Sequence, residues 1–261
     1  MGSRPGHPVL TVVKVGGAVA GATAELTALA AAVAALPGRR VVVHGGGSEI
    51  TAWQERLGLP VVRREGLRVT TPETMQITAM VLSGWVNKRV VAALLTAGEL
   101  AVGLSGEDGA LLRAIRKYDG RIGEVGEIVE VDPRALRALL DAGMLPVVSP
   151  VSRGPAGAPL NVNADEAAIA LAVGLAADRL LLVSDVPGVL VDGVPLERMT
   201  AQDAADLLER GVVQGGMAVK VRQALDAARA GVEVRIGNGA LLDDVGAGTL
   251  VVPAGAAEVA S

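Results

Sequence analysis

The chain has 261 residues, 51% of them apolar, a formal charge of −4 and no cysteine. That length can bury a full core, and the lack of cysteine excludes a disulfide framework, a thiolate metal site and a cysteine nucleophile. Lys and Arg are scattered, and with no Phe, one Tyr and two Trp there is neither a basic tract nor an aromatic platform for nucleic acid.

Residues 1–8 lack the apolar core of a signal peptide, and the apolar runs at 26–36 and 167–177 are too short or too Ala-rich to span a bilayer. The expectation is a soluble, cytoplasmic protein. Residues 9–15 form a β-branched run closed by Gly16-Gly17, the pattern of a strand buried on both faces of a parallel sheet. Residues 24–36 set Leu26, Leu29 and Val33 at helical spacing, and Pro37-Gly38 stops them. A second apolar strand, 40–43, is closed by His44-Gly45-Gly46-Gly47. Residues 48–57 then read as a helix with Ser48 as its cap and Gly58 as its stop.

Residues 72–97 carry a long helical pattern, either one helix or two parted at Ser83-Gly84. A short strand at 100–104 ends in Ser105-Gly106-Glu107-Asp108-Gly109. Between 111 and 131 the pattern turns polar and glycine-punctuated, with 125–131 read as an antiparallel arm. A helix at 133–142, a buried strand at 145–148 and a helix at 164–175 follow, the last opening directly after Asn161-Val162-Asn163. Residues 180–183 restart the strands, 200–210 and 217–230 read as helices around a loop at 211–216, and 232–236 and 249–252 supply late strands. Strands alternating with helices predict an α/β fold with a parallel sheet covered by helices.

Glycine at a strand's C-terminal end lets backbone N–H groups approach an anion, and the helix that follows adds partial positive charge. Both glycine turns suit phosphate, yet neither matches a P-loop or a dinucleotide fingerprint, because Lys14 precedes its glycines and no Lys-Ser/Thr follows the second. A single glycine pair is more often only a tight turn. Lys14 adjoins a buried strand, so it must pair with an anion or reach solvent. Lys220, read in the first turn of a helix after Gly215-Gly216, is by itself an ordinary solvated lysine. Asp165, near a helix start, equally suits capping or the helix dipole. Arg68, in Gly66-Leu67-Arg68-Val69-Thr70, fits bidentate capture of a carboxylate or a structural pair with Glu73. His44 reads as a satisfied histidine with no proton-transfer role.

Taken in order, Lys14-Val15-Gly16-Gly17, His44-Gly45-Gly46-Gly47, Gly66-Leu67-Arg68-Val69-Thr70, Asn87-Lys88, the 103–109 segment, Asn161-Val162-Asn163-Ala164-Asp165, Ser184-Asp185-Val186-Pro187-Gly188 and the 215–220 segment resemble the amino-acid kinase superfamily. Within it they are most similar to the acetylglutamate kinases, over residues 12 to about 252. The resemblance implies a three-layer αβα sandwich with an open, mainly parallel sheet of about eight strands. It implies a single domain over 1–261, with a substrate lobe at about 9–177 and a nucleotide lobe at about 178–253. The substrates implied are N-acetyl-L-glutamate and ATP with Mg2+, and the product an acyl phosphate.

On the same resemblance, Lys14, Lys220 and Asp165 are the catalytic group: two lysines neutralise the phosphoryl oxygens and the aspartate orients them. Gly16, Gly17, Gly46 and Gly47 would donate N–H bonds, Arg68 would clasp the α-carboxylate and Asn161 would place the amino-acid portion. Asp185-Val186-Pro187-Gly188-Val189-Leu190 and Val212-Val213-Gln214 would line the nucleotide together with the lysines. The chemistry agrees: a carboxylate of ordinary pKa about 4.3 is already ionised and needs no base, so the obstacle is repulsion between anions. Magnesium would be held by ATP oxygens and water, and lobe closure would shield the product from hydrolysis.

A sibling kinase acting on acetylated or carrier-linked α-aminoadipate differs by one methylene, worth only ~1–3 kcal/mol; the form of the 66–70 segment favours glutamate. A non-catalytic sensor of the same fold would lose Lys14, Asp165 or Lys220, and all three are present. Arginine-inhibited members build a hexameric ring through an extra N-terminal helix. Here about eight residues with two prolines precede the first strand, so the expectation is a homodimer.

Overall fold

The computed structural model describes residues 8–16, 23–64 and 66–253; Gly17 lies outside them. The chain runs β1 (Leu10–Val15), α1 (Thr23–Ala35), β2 (Arg39–His44), α2 (Gly47–Arg56), β3 (Arg63–Arg64), β4 (Leu67–Arg68), α3 (Pro72–Ala79), a π-helical segment (Met80–Val86), α4 (Asn87–Thr96), β5 (Ala101–Gly106), β6 (Leu112–Arg116), β7 (Gly126–Val131), α5 (Arg134–Asp141) and β8 (Leu145–Arg153). It continues through β9 (Pro159–Asn161), α6 (Ala164–Leu175), β10 (Arg179–Val183), β11 (Leu190–Val191), β12 (Val194–Pro195), β13 (Arg198–Thr200), α7 (Ala201–Glu209), α8 (Gly215–Arg229), β14 (Glu233–Gly237), α9 (Ala240–Asp243) and β15 (Thr249–Val252).

One sheet spans the protein in the order β13-β15-β14-β10-β1-β2-β8-β6-β7, with β5 and β9 also paired to β8. Its centre, β14-β10-β1-β2-β8-β5, is parallel throughout. Antiparallel pairs occur only outside that centre, at β14-β15, β6-β7 and β8-β9. The Val- and Leu-rich runs follow from this position. Val12, Val43, Leu180 and Leu182 pack with α6 and α8 on one face, while Val13, Val15, Val42 and Leu181 pack with α1 and α4 on the other. Both faces are covered, so nearly every residue of a central strand must be apolar, each buried Val or Leu contributing about 1.5–3 kcal/mol relative to exposure. Without phenylalanine, the helices come close on small side chains; Ala168 and Ala172 of α6 and Ala224 of α8 are fully buried.

The α/β sandwich is as expected, but the sheet has eleven strands rather than about eight. The polar 111–131 stretch contributes two of them, β6 and β7. Segment 72–97 is continuous; at Ser83-Gly84 it neither breaks nor stays α-helical but opens into the π-helical segment, where Ser83 and Ser149 share a hydrogen bond of 2.8 Å between hydroxyls. Ser48 does not cap α2: the cap position is Gly46, with no side-chain bond. The helix bearing Lys220 starts at Gly215, which puts Lys220 in its second turn and not its first.

Candidate active site

β1 lies between β2 and β10, with Lys14 opposite Val43 and Leu182. The two-residue period of a strand turns Lys14 to the face that carries Val12, where α6 covers the sheet. A lysine at that depth needs a partner. It finds one in Asp165, whose Oδ1 is 2.9 Å from Lys14 Nζ. Asp165 is free for this because the helix start is capped by its neighbour: Asn163 Oδ1 accepts the Asp165 backbone N–H at 2.7 Å. From α8, packed on α6, Lys220 Nζ reaches the other oxygen, Oδ2, at 3.5 Å.

The three groups are mutually adjusted. Burial pushes the Asp165 carboxyl up, but the Lys14 and Lys220 ammoniums outweigh it and hold the pKa below the ordinary value. Burial lowers the Lys220 pKa; Asp165 opposes this, Lys14 adds to it, and Asp185 also acts to restore it. Two buried cations share one carboxylate, which leaves an excess positive charge where a polyanion can bind.

Beside the triad is a cavity of about 240 Å³ whose wall includes Lys14, Gly45, Gly46, Gly47, Arg63, Arg68, Asn161, Asn163 and Asp165. Arg68 is 6% exposed. It donates to neutral oxygens only: Gly47 C=O at 2.8 Å, Thr51 Oγ1 at 2.7 Å and Gln54 Oε1. The pair with Glu73 is not formed, and among the described residues Arg68 has no carboxylate partner. Burial first, then Arg63, lowers its pKa, as expected of a cation short of counter-charge. Asn161 Nδ2 donates to Thr70 Oγ1 at 3.1 Å, and that hydroxyl donates to the Arg68 carbonyl at 3.0 Å, so the two residues are tied together.

Gly46 must be glycine. Its φ is 155°, and a Cβ there would lie 2.7 Å from Leu82 of the π-helical segment, so the backbone of this turn is pressed against that helix. Gly16 sits beside the triad, with Lys14 Nζ and the Val183 carbonyl each 3.3 Å from where its Cβ would be.

Of the other residues singled out in the sequence, Asp185, Val186, Pro187, Gly188 and Leu190 follow β10, and Val212 and Gln214 precede α8. Val189 and Val213 belong to the core; the Val189 N–H donates to Thr249 Oγ1 at 2.8 Å and its carbonyl accepts from the Leu196 N–H, while the Val213 N–H donates to the Leu207 carbonyl. Residues of the cavity wall that sequence reasoning did not single out include Arg63, Asn163, Ile50 and Leu82. Asn163 carried a signal, a capping residue just before a helix start. Arg63, exposed in a two-residue strand, carried none.

His44 is fully buried, and burial pushes its pKa from 6.5 down to about 4, with the Gly45 hydrogen bond opposing and Lys88 assisting. The unfolded chain therefore takes up this proton first. The His44 contribution to stability is complete above pH 6.5 and is lost as the pH falls from 6.5 toward 4, by on the order of 3 kcal/mol. Glu107, raised by burial and then by Asp108, titrates in the opposite sense. Urea midpoints measured from pH 7 to pH 4 should fall less steeply for His44→Asn than for the wild type; parallel curves would exclude this origin.

The sequence matches the profile of the amino acid kinase family over residues 9–238. It is 51% identical to an acetylglutamate kinase of Chloroflexus aggregans over 210 residues, covering 79% of this chain and 83% of that one. It is 46% identical to an acetylglutamate kinase of Rubrobacter xylanophilus over 230 residues, covering 87% and 88%. Among solved structures, the N-acetylglutamate synthase of Neisseria gonorrhoeae, complexed with coenzyme A and N-acetyl-glutamate, superposes with a TM-score of 0.80 at 27% identity, over 94% of this chain and 60% of that one. A carbamate kinase of Giardia lamblia bound to AMP-PNP gives 0.71 at 17% identity, over 95% and 99%, which speaks to the fold alone.

Proposed function

The chain belongs to the amino acid kinase family, and on that premise we propose that it transfers the γ-phosphoryl group of MgATP to the γ-carboxylate of N-acetyl-L-glutamate, a step of arginine biosynthesis. The products are N-acetyl-L-glutamyl 5-phosphate and ADP. The observation that carries this reading is the buried Lys14–Asp165–Lys220 triad beside a cavity in which Arg68 has no acid partner among the described residues. Three cations and one carboxylate, Lys14, Arg63, Arg68 and Asp165, line that cavity, which suits a dianionic amino-acid derivative.

Arg68 holds the α-carboxylate by its planar fork, and Asn161 keeps the amino-acid portion in place. The γ-carboxylate attacks phosphorus as the anion it already is. Lys14 and Lys220 neutralise charge on the phosphoryl oxygens, while Asp165 keeps both ammoniums aimed; N–H groups of Gly16, Gly46 and Gly47 add fixed dipoles, and Gly17, outside the described residues, is read with them. The acetylated amino acid occupies the part of the protein built from residues 9–177. The nucleotide lies over 178–253, against Asp185-Val186-Pro187-Gly188-Val189-Leu190 and Val212-Val213-Gln214.

Magnesium enters with the nucleotide as part of the substrate. Both Asp165 oxygens face lysines, and on this reading phosphate oxygens and water would fill the magnesium shell. No described helix is long and apolar enough to cross a membrane. The working unit is a homodimer in the cytoplasm; a hexamer by light scattering would contradict that assembly.

The test is ADP release, with the acyl phosphate trapped by hydroxylamine, across N-acetylglutamate, N-acetylaminoadipate, glutamate and carbamate. The expected kcat/KM for N-acetylglutamate exceeds that for N-acetylaminoadipate by roughly 10- to 200-fold, the range one methylene supplies in a pocket. Preference for any other member of the set, or no turnover, overturns the reading.

A further inference from the structure

His44 and Asn87, both fully buried, stand directly behind the Gly45-Gly46-Gly47 wall of the cavity and take no part in the reaction described above. The His44 Nδ1 lies 2.8 Å from the carbonyl oxygen of Gly45. A carbonyl only accepts, so Nδ1 carries the proton and Nε2 presents a lone pair. Asn87 meets that lone pair, one Nδ2–H donating to Nε2 at 3.1 Å, and its second N–H is shared between the carbonyls of Val147 at 2.9 Å and Leu104 at 3.3 Å. Lys88 Nζ closes the set with a bond of 3.1 Å to Asn87 Oδ1. The space is fitted to this amide: a Cβ on Gly103 would stand 1.9 Å from Asn87 Oδ1.

We infer that His44, locked by Asn87 into its Nδ1–H form, is a positioning residue that aims the Gly46 N–H at the phosphoryl group. The reason lies in the peptide unit. A planar trans peptide sets its C=O and N–H in opposite directions, so holding the Gly45 carbonyl against the imidazole turns the Gly46 N–H away from His44. Neither the Gly46 nor the Gly47 N–H makes a hydrogen bond among the described residues, and both residues line the cavity. A glycine-rich turn is otherwise free to flip this peptide. The ring removes that freedom, so the donor is in place before charge develops, which is where an oriented dipole is most effective. Asn87, drawing on three separate strands, keeps the ring from rotating. The assignment rests on the kinase reading above.

The experiment compares His44→Asn with His44→Gln. Asparagine puts an amide N–H near the place of Nδ1, within reach of the Gly45 carbonyl; glutamine puts it near the place of Nε2, beside Asn87. Both fill the site with a polar amide, so a merely structural role makes glutamine the equal or better replacement. Positioning requires the reverse: kcat for His44→Asn within about threefold of wild type and kcat for His44→Gln lower by ~10²-fold, the scale of one lost transition-state donor, with the KM for ATP little changed in either. Equal kcat values, or the opposite order, overturn the inference.

A second readout does not depend on turnover. On titration with inorganic phosphate, the Gly46 amide proton should move downfield in the wild type and in His44→Asn, and stay in place in His44→Gln; the same response in all three also overturns it. Wild-type protein that moves the Gly46 signal but gives no acetylglutamate-dependent ADP sinks the substrate assignment and leaves the positioning role standing.

Discussion

Lys220→Ala should lower the kcat for acetylglutamate-dependent ADP release by about 10³-fold, the scale on which oriented cations and donors act in phosphoryl transfer. The KM for ATP should change far less, because phosphate charge in the ground state is also met by magnesium and by Lys14. The loss is not expected to come from unfolding. With Lys220 gone, Asp165 keeps Lys14 at 2.9 Å, and the buried group becomes a neutral pair in place of two cations on one carboxylate. Asp165→Ala is the contrasting case: it strands two buried ammoniums and should cost about 3–5 kcal/mol of stability as well as activity. The check is steady-state kinetics alongside thermal unfolding. Turnover of Lys220→Ala near the wild-type value would remove Lys220 from the chemistry.

Arg68→Ala should raise the KM for N-acetylglutamate by about 10²-fold, the equivalent of about 2.7 kcal/mol at 1.36 kcal/mol per tenfold. That is within the range of a charge-assisted hydrogen bond lost from a buried site. Arg68 is held in advance by Gly47, Thr51 and Gln54, so the guanidinium needs no reordering when substrate arrives. On the proposed reading its counter-charge is then supplied by the ligand. Arg68→Lys keeps the charge but loses the fork, and should fall between alanine and wild type. The KM for ATP serves as the internal control. An unchanged KM for N-acetylglutamate would take Arg68 out of the substrate site, and equal rises in both KM values would point to a general collapse of the cavity.

The sequence by itself determined the elements that are buried on both sides or bounded by local chemistry. β1, β2 and β10 were legible because a strand covered on both faces must be almost wholly apolar. α6 was read to its exact ends, since Asn163 marks its start and the apolar periodicity its length. The tight glycine turn that closes β2 was legible too, being a property of the local backbone. Where an element owed its form to its neighbours, the reading fell short. β3, β4, β11 and β12 are two residues each, too short to show any period; the π-helical turn answers to Gly46 and Ser149, which lie far from it in the chain. Ser48 looked like a cap, but the turn before it is shaped by Gly46.

The same division holds at the site. Lys220 and Asp165 each had an ordinary explanation as a solvated lysine and a helix-dipole acid, and nothing within a few residues of either removes it. Only the packing of α6 and α8 over β1 brings Lys14, Asp165 and Lys220 within hydrogen-bonding distance. The Arg68–Glu73 pair, plausible from five residues of separation, is displaced because the fold turns the guanidinium toward α2. Residue types and local backbone conformation are written into a short stretch of chain. Burial, the sharing of one carboxylate by two cations, and the lack of a carboxylate partner for Arg68 among the described residues are sums over groups distant in sequence, and they acquire values only when the chain has closed on itself.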